Sequence, residues 1–198
     1  MLVGYIIALG LVFCKSFFYP QPQIHSLRLS QLEDLPPIEV GDVIFREGIG
    51  MDSAIIQKLS NHRYTHIGII ISNDPIIILH ASTDSCAHHA ESVVLNTFEE
   101  FLQCSQNIAI KRFRLSADVL QNVINRAYQR LGDAFVLSRN HQRLYCTTLL
   151  EDALEPFVAL NLSYTNVEFP VLGGEYLFPK AFFEDSHSVL IYESNVAW

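Results

Sequence analysis

Two apolar runs rich in β-branched residues, Ile67 to Ile71 and Ile76 to Leu79, are separated only by Ser72-Asn73-Asp74-Pro75. Side chains branched at Cβ are stiff in a helix and fit a pleated, buried surface, while Asn, Asp and Pro initiate turns. The pattern predicts a hairpin whose two strands lie centrally in a sheet. The remainder of the chain must supply cover for it. With 198 residues, 49% of them hydrophobic and 17% charged, there is enough apolar material for one domain with a sizeable core and too little charge for long disorder.

The flanking elements are mixed. Gly41-Asp42 introduces a short strand, Val43-Ile44-Phe45, and Asp52-Ser53 is placed to cap a helix carrying Ile55, Ile56 and Leu59 on one side. Thr97-Phe98-Glu99-Glu100 fits a capping box that opens a short helix. Ile108, Ile110 and Arg112 alternate with their neighbours as a third long strand would. Leu120, Val123, Ile124, Ala127 and Leu131 fall on one face of a helix that Gly132 can end. A second amphipathic stretch runs from Thr147 to about Val158, with Leu150, Ala153, Leu154 and Phe157 spaced for burial, and Val189 to Tyr192 reads as a final strand. Strands and helices without strict βαβ alternation predict an α+β domain with a mainly antiparallel sheet.

Charge narrows the partners. Thirteen Lys and Arg against 21 Asp and Glu give a net charge of −8, the wrong sign for general attraction to nucleic acid, and Lys111-Arg112-Phe113-Arg114 reads as a solvated strand face. At the N-terminus, Leu2 to Cys14 is an uncharged apolar run, shorter than the roughly 20 residues of a membrane span. Its length suits a signal-peptide core or a weak anchor. An exported, periplasmic or membrane-anchored protein is therefore expected, with possible membrane association through residues 1–19. An additional packed helix, or a start codon assigned too far upstream, is the alternative. Leu11-Val12-Phe13-Cys14 has the outline of a lipoprotein cleavage site, with Phe13 where a small residue is wanted. Residues 20–37 carry Pro20, Pro22, Pro36 and Pro37 and read as a connector, leaving 38–198 as the folded domain.

If the leader is removed, Cys86, Cys104 and Cys146 remain, and at least one thiol is left over from any pairing. Cys146 has the most informative context, because Thr147-Thr148 open the amphipathic stretch immediately after it. A thiol at a helix N-terminus faces unpaired backbone donors and the positive end of the dipole, which favour a thiolate and can hold an oxyanion. A thiolate nucleophile needs a base, and the base an orienting group. His66 begins the first strand of the predicted hairpin and His80 ends the second, so the two return to the same sheet edge. Cys86, His88 and His89 carry metal-ligating atoms, but a loop this short rarely completes a four-ligand site, so it reads as a polar loop with no metal. No cofactor is expected. His141 is an alternative base lacking an orienter, and His62 reads as a surface residue near the site mouth.

Gly41-Asp42-Val43-Ile44-Phe45, Tyr64-Thr65-His66-Ile67-Gly68-Ile69, His80-Ala81 and Tyr145-Cys146-Thr147-Thr148-Leu149-Leu150 occur in that order. This succession resembles the circularly permuted papain-like cysteine hydrolases of the YiiX/YebB type, which are related to the NlpC-type amidases and the lecithin:retinol acyltransferase group. The resemblance spans Ile38 to the C-terminus and implies a sheet packed against the helix that bears the nucleophile. It makes Cys146 the nucleophile, His66 the general base and His80 the residue orienting the imidazole. Relatives often have Ser-Glu where this chain has Thr147-Thr148, whereas a histidine orienter matches the Cys-His-His arrangement of the NlpC and acyltransferase branches. The implied reaction is cleavage of an amide, in a peptide or cell-wall muropeptide, through a thioester. The alternatives are transfer to or from an acyl-lipid and a non-catalytic binding module. Tyr64 and Tyr145 either wall the cleft or pack the sheet edge, and Thr147 stands with them as a cleft or oxyanion position.

Overall fold

The computed structural model describes residues 25–83, 91–138, 143–168 and 173–196. Six strands form one sheet: β1 (Val43–Gly48), β2 (His66–Asn73), β3 (Ile76–Ser82), β4 (Ser92–Thr97), β5 (Ser105–Phe113) and β8 (Ser188–Glu193). Their order is β4-β3-β2-β1-β5-β8, and every neighbouring pair is antiparallel. The predicted hairpin is β2 and β3, and it is central. The helices are α1 (Met51–Ser60), α2 (Phe98–Gln103), α3 (Ala117–Tyr128), α4 (Cys146–Leu154) and α5 (Pro179–Glu184). A small ribbon of β6 (Thr165–Val167) and β7 (Gly174–Tyr176) stands apart from the main sheet.

Both sheet faces are covered, which explains the nearly continuous apolar runs in β2 and β3. Val43, Phe45, Ile67, Ile69 and Leu79 pack with Val123 of α3, Leu149 and Leu150 of α4 and Phe182 of α5. The alternate residues Ile44, Ile70 and Ile78 pack on the other face with Phe98, Phe101 and Leu102 of α2. Leu27, within the predicted connector, joins this second cluster, and its N–H donates to the Ser105 carbonyl at 2.7 Å. The shared period of two is what assigns consecutive residues to opposite cores.

Several local expectations need correction. Gly50, not Asp52 or Ser53, occupies the N-cap of α1, and Ser53 is buried inside the helix. Ile55 is exposed, while Ile56 and Leu59 pack on a third, small cluster of Val167, Tyr176 and Phe178. The α4 helix stops at Leu154 with Glu155 as its C-cap, short of Val158, and leaves Phe157 exposed. Glu155 keeps helical dihedrals, but Pro156 has no N–H to give the Asp152 carbonyl, which accepts from the Arg126 guanidinium instead. The Thr97 capping box of α2 is present: Glu100 N–H donates to Thr97 Oγ1 at 3.2 Å, and Thr97 N–H donates to Glu100 Oε2 at 2.8 Å.

Candidate active site

Cys146 is the first residue of α4, whose N-cap is Tyr145. The cap is fixed by Thr148, whose Oγ1 accepts from Tyr145 N–H at 2.9 Å, and by Tyr145 Oη, which accepts from Leu177 N–H at 3.0 Å. The helix packs against β2 and β3, and this brings the sulfur to the end of their ladder. Paired register between β2 and β3 runs from Asn73↔Ile76 to Ile69↔Leu79. Beyond it the Ile67 N–H, with the N–H groups of Cys146 and Thr147, faces the Cys146 sulfur and favours its charged form.

His66 and His80 come together from the two hairpin strands as their positions predicted. His66 Nε2 lies 2.8 Å from His80 Nδ1, with the rings close to perpendicular. His80 Nε2 lies 2.5 Å from Asn96 Oδ1 on β4. Asn96 Nδ2 in turn donates to Glu100 Oε2 at 3.2 Å. Both imidazoles contact the Phe101 ring of α2. Arg46, opposite His66 in the β1–β2 register and buried, holds its guanidinium 4.9 Å from the centroid of the same ring.

A cavity of about 290 Å³ opens at this point. Cys146, His66, Arg46 and Tyr145 line it, with Ala81, Ser82 and Thr83 from the end of β3. Its farther wall is apolar and aromatic, from Ile55, Ile56 and Leu59 of α1 and Val167, Tyr176 and Phe178 around the small ribbon.

Burial dominates the electrostatics. The Cys146 thiol is pushed up to about 11, against opposing help from the N–H of Ile67, the charge of Arg46 and the N–H groups of the first turn. A helix terminus contributes about 0.3–1 kcal/mol, up to ~2 where partly buried. Full desolvation can shift an ionisation by several pH units. The expected thiolate therefore gives way to a resting thiol. Burial and the Arg46 charge also hold His66 well below its ordinary value, and the same two causes hold His80 down to about 3. The resting site is therefore a neutral thiol beside two uncharged imidazoles.

The other predicted positions divide. Tyr145 lines the cavity. Tyr64 does not: its ring is buried with Phe45 and Phe183, and its hydroxyl donates to Glu193 Oε1 at 2.6 Å. Thr65 and His66 line the cavity, whereas Tyr64, just before them, stays in the core. The Thr147 side chain is fully buried, its hydroxyl donating to the Leu177 carbonyl at 2.7 Å, so only its backbone N–H serves the sulfur. His62 is half-buried against Tyr64 and Phe183 and away from the cavity lining. Cys86, His88, His89 and His141 lie outside the described residues, as does the N-terminal run through Cys14. Among the described residues no three His, Cys, Asp or Glu side chains are grouped to hold a metal ion, and no helix is long and apolar enough to cross a membrane. Cys104 and Cys146 are both buried, and Cys146 is a free thiol.

Arg46, Asn96 and Glu100 are the site residues that sequence reading missed. Glu100 was visible only as a helix cap, and β4, which carries Asn96, went unread. The signal was the adjacency of Asn96 to the capping box itself.

An antiparallel sheet covered on one face by a helix with cysteine at its first position, and bearing a histidine pair at the end of its central hairpin, defines a permuted papain-like protein. Residues 37–168 match the family model of the permuted papain-like amidase enzymes, YaeF/YiiX, C92, and the chain belongs to that cysteine peptidase and amidase family. The fold is similar to the crystal structure of metalloprotein yiiX from Escherichia coli O157:H7, at 15% identity and a TM-score of 0.67, covering 80% of this chain and 99% of that one. No curated protein matches the sequence.

Proposed function

We propose that this chain is a cysteine amidase in which Cys146 is the nucleophile, His66 the general base and His80 its orienter. The observation that carries the reading is that Cys146, at a helix N-terminus, and His66, held through Nε2 by His80, line one cavity. As the sulfur attacks the amide carbonyl, its proton passes to His66 Nδ1, so the S–H bond breaks while S–C and N–H bonds form. The oxyanion is held by backbone N–H groups of the first turn of α4. Collapse of the tetrahedral intermediate expels the amine, which takes the proton from His66. Water, deprotonated by the same imidazole, then attacks the thioester carbonyl; the C–S bond breaks, the acid leaves, and the proton returns from His66 to the sulfur. The neutral resting pair makes this general-base catalysis rather than attack by a preformed thiolate.

The substrate class we favour is a peptide or muropeptide amide met outside the cytoplasm, with the apolar N-terminal run as an export or anchoring signal. A second reading, transfer or hydrolysis of a fatty acyl group, draws support from the apolar far wall of the cavity. The deciding experiment is intact mass after treatment with an activity-directed cysteine probe, comparing the native chain with Cys146→Ser. A single adduct on the native chain that is absent from the variant supports the assignment, and equal labelling of both defeats it. The mass of an acyl adduct trapped with candidate substrates separates peptide from fatty chain.

A further inference from the structure

We infer that Asn96 and Glu100 are positioning residues that set the proton polarity of the histidine pair. The role of His66 as base rests on the amidase reading, whereas the polarity itself does not. Glu100 Oε2 accepts the Thr97 N–H at 2.8 Å, which makes that oxygen an acceptor at this contact. The Asn96 atom facing the same oxygen at 3.2 Å must then be the donor, Nδ2, which turns Oδ1 toward His80. Facing an acceptor at 2.5 Å, His80 Nε2 must carry the proton, and in a neutral imidazole Nδ1 is left as the acceptor. His66 Nε2, 2.8 Å from that acceptor, must therefore be the protonated nitrogen of its own ring. The one atom of His66 left with a lone pair is Nδ1, which is where a base requires it.

All of the groups in this chain are buried or half-buried, so water does not rescue a wrong polarity. If the acceptor on Asn96 is lost, the buried His80 N–H is better placed on Nδ1, donating to His66 Nε2. That pushes the His66 proton onto Nδ1 and occupies the lone pair. The device links catalysis to a helix cap: Glu100 is fixed because it closes the capping box of α2, and through Asn96 it sets the tautomer of a histidine on another strand.

The test is long-range 1H–15N correlation of 15N-histidine-labelled full-length protein near pH 7.5, where ring nitrogen shifts report tautomers directly. The native chain should show His66 and His80 both as Nε2–H tautomers. Asn96→Leu should convert both rings to Nδ1–H and slow iodoacetamide alkylation of Cys146 roughly tenfold or more, the wrong-tautomer effect known for other triads. Glu100→Ala should give mixed tautomers, and Glu100→Gln, whose carbonyl oxygen can accept both bonds, should restore the native pattern. A native His66 in the Nδ1–H form, or tautomers unmoved by Asn96→Leu and Glu100→Ala, would overturn the inference. Nε2–H tautomers beside an inert Cys146 would support the polarity while defeating the amidase reading, so the two fail separately.

Discussion

Gly68 lies directly against His80 across the hairpin, and a side chain there would press on both His80 and Ile78. A Cβ built on Gly68 would stand 3.2 Å from the His80 Cβ and 2.7 Å from Cγ2 of Ile78, with the Leu79 carbonyl also at 3.2 Å. Glycine is required here by close approach across the β2–β3 hairpin, two positions from His66. Gly68→Ala should destabilise the fold by about 1–3 kcal/mol through overpacking. It should also displace His80 from His66, so that alkylation of Cys146 slows more than the loss of stability explains. Urea titration and iodoacetamide kinetics on the same preparation check both effects.

Replacing Cys146 by Ala should abolish turnover, a loss of about 10³-fold or more for a nucleophile deletion. Because Cys146 is a small buried side chain whose sulfur bonds only weakly, stability should change by about 1 kcal/mol or less. Near-native urea midpoints with no residual hydrolysis are the expected pair of results. A turning-over Ala variant would remove the proposed nucleophile.

Because the thiol is pushed up to about 11, alkylation of Cys146 should keep rising with pH well above neutrality. Amide hydrolysis should behave differently. It needs a neutral His66, held well below its ordinary value, and a thiol, so its rate should stay level from neutral pH down into the acid range before falling. A hydrolysis profile with an acid limb near 6.5 would show that His66 is not the buried neutral base described.

Stability should also depend on pH, with the sign set by burial. The unfolded imidazoles take up protons near 6.5, whereas folded His80 does so only near 3 and folded His66 well below 6.5. Below 6.5 the unfolded state therefore binds more protons and stability drops as the solution is made more acid, by up to about 1.4 kcal/mol per pH unit for each ring. At the other end, the unfolded Cys146 thiol ionises near 9 and the folded one near 11, so stability falls again as pH rises through that interval. As far as these groups decide it, the plateau lies between 6.5 and 9. Urea midpoints at pH 7.5 and 5 should differ in the native chain and differ less in His80→Gln.

Lys111 closes the end of α5. Its ammonium donates to the Phe183 and Asp185 carbonyls at 2.6 and 2.8 Å, with the Phe182 carbonyl at 3.4 Å. Lys111→Met keeps the length and removes the donors, leaving carbonyls at a helix terminus without partners. The expected cost is about 2 kcal/mol, read as a lower urea midpoint with an unchanged slope.

The hairpin, its two histidines and the helix that follows Cys146 were legible because each rests on a short-range pattern: a period of two, turn residues, and a period of 3.6. What was not legible depends on contacts between distant segments. Tyr64 and Thr147 flank the site in sequence, yet one packs under Phe183 and the other spends its hydroxyl on Leu177, because neighbouring residues on extended or helical backbone face different surroundings. The thiolate expectation failed for a related reason. A helix N-terminus can be read from sequence, but the burial that outweighs it is a property of the packed molecule. Asn96 and Glu100 stayed hidden because a capping box looks the same whether or not its glutamate holds a second partner.

The β2–β3 ladder stops at Ile69↔Leu79, short of the strand ends at His66 and Ser82. Had the hairpin closed fully, Ile67 would have given its amide to a neighbouring strand and none would be left for the sulfur. An incomplete seam between two neighbouring strands is thus what gives the thiol a berth, and any substitution that lengthens the pairing should strengthen the sheet while evicting the reagent it shelters.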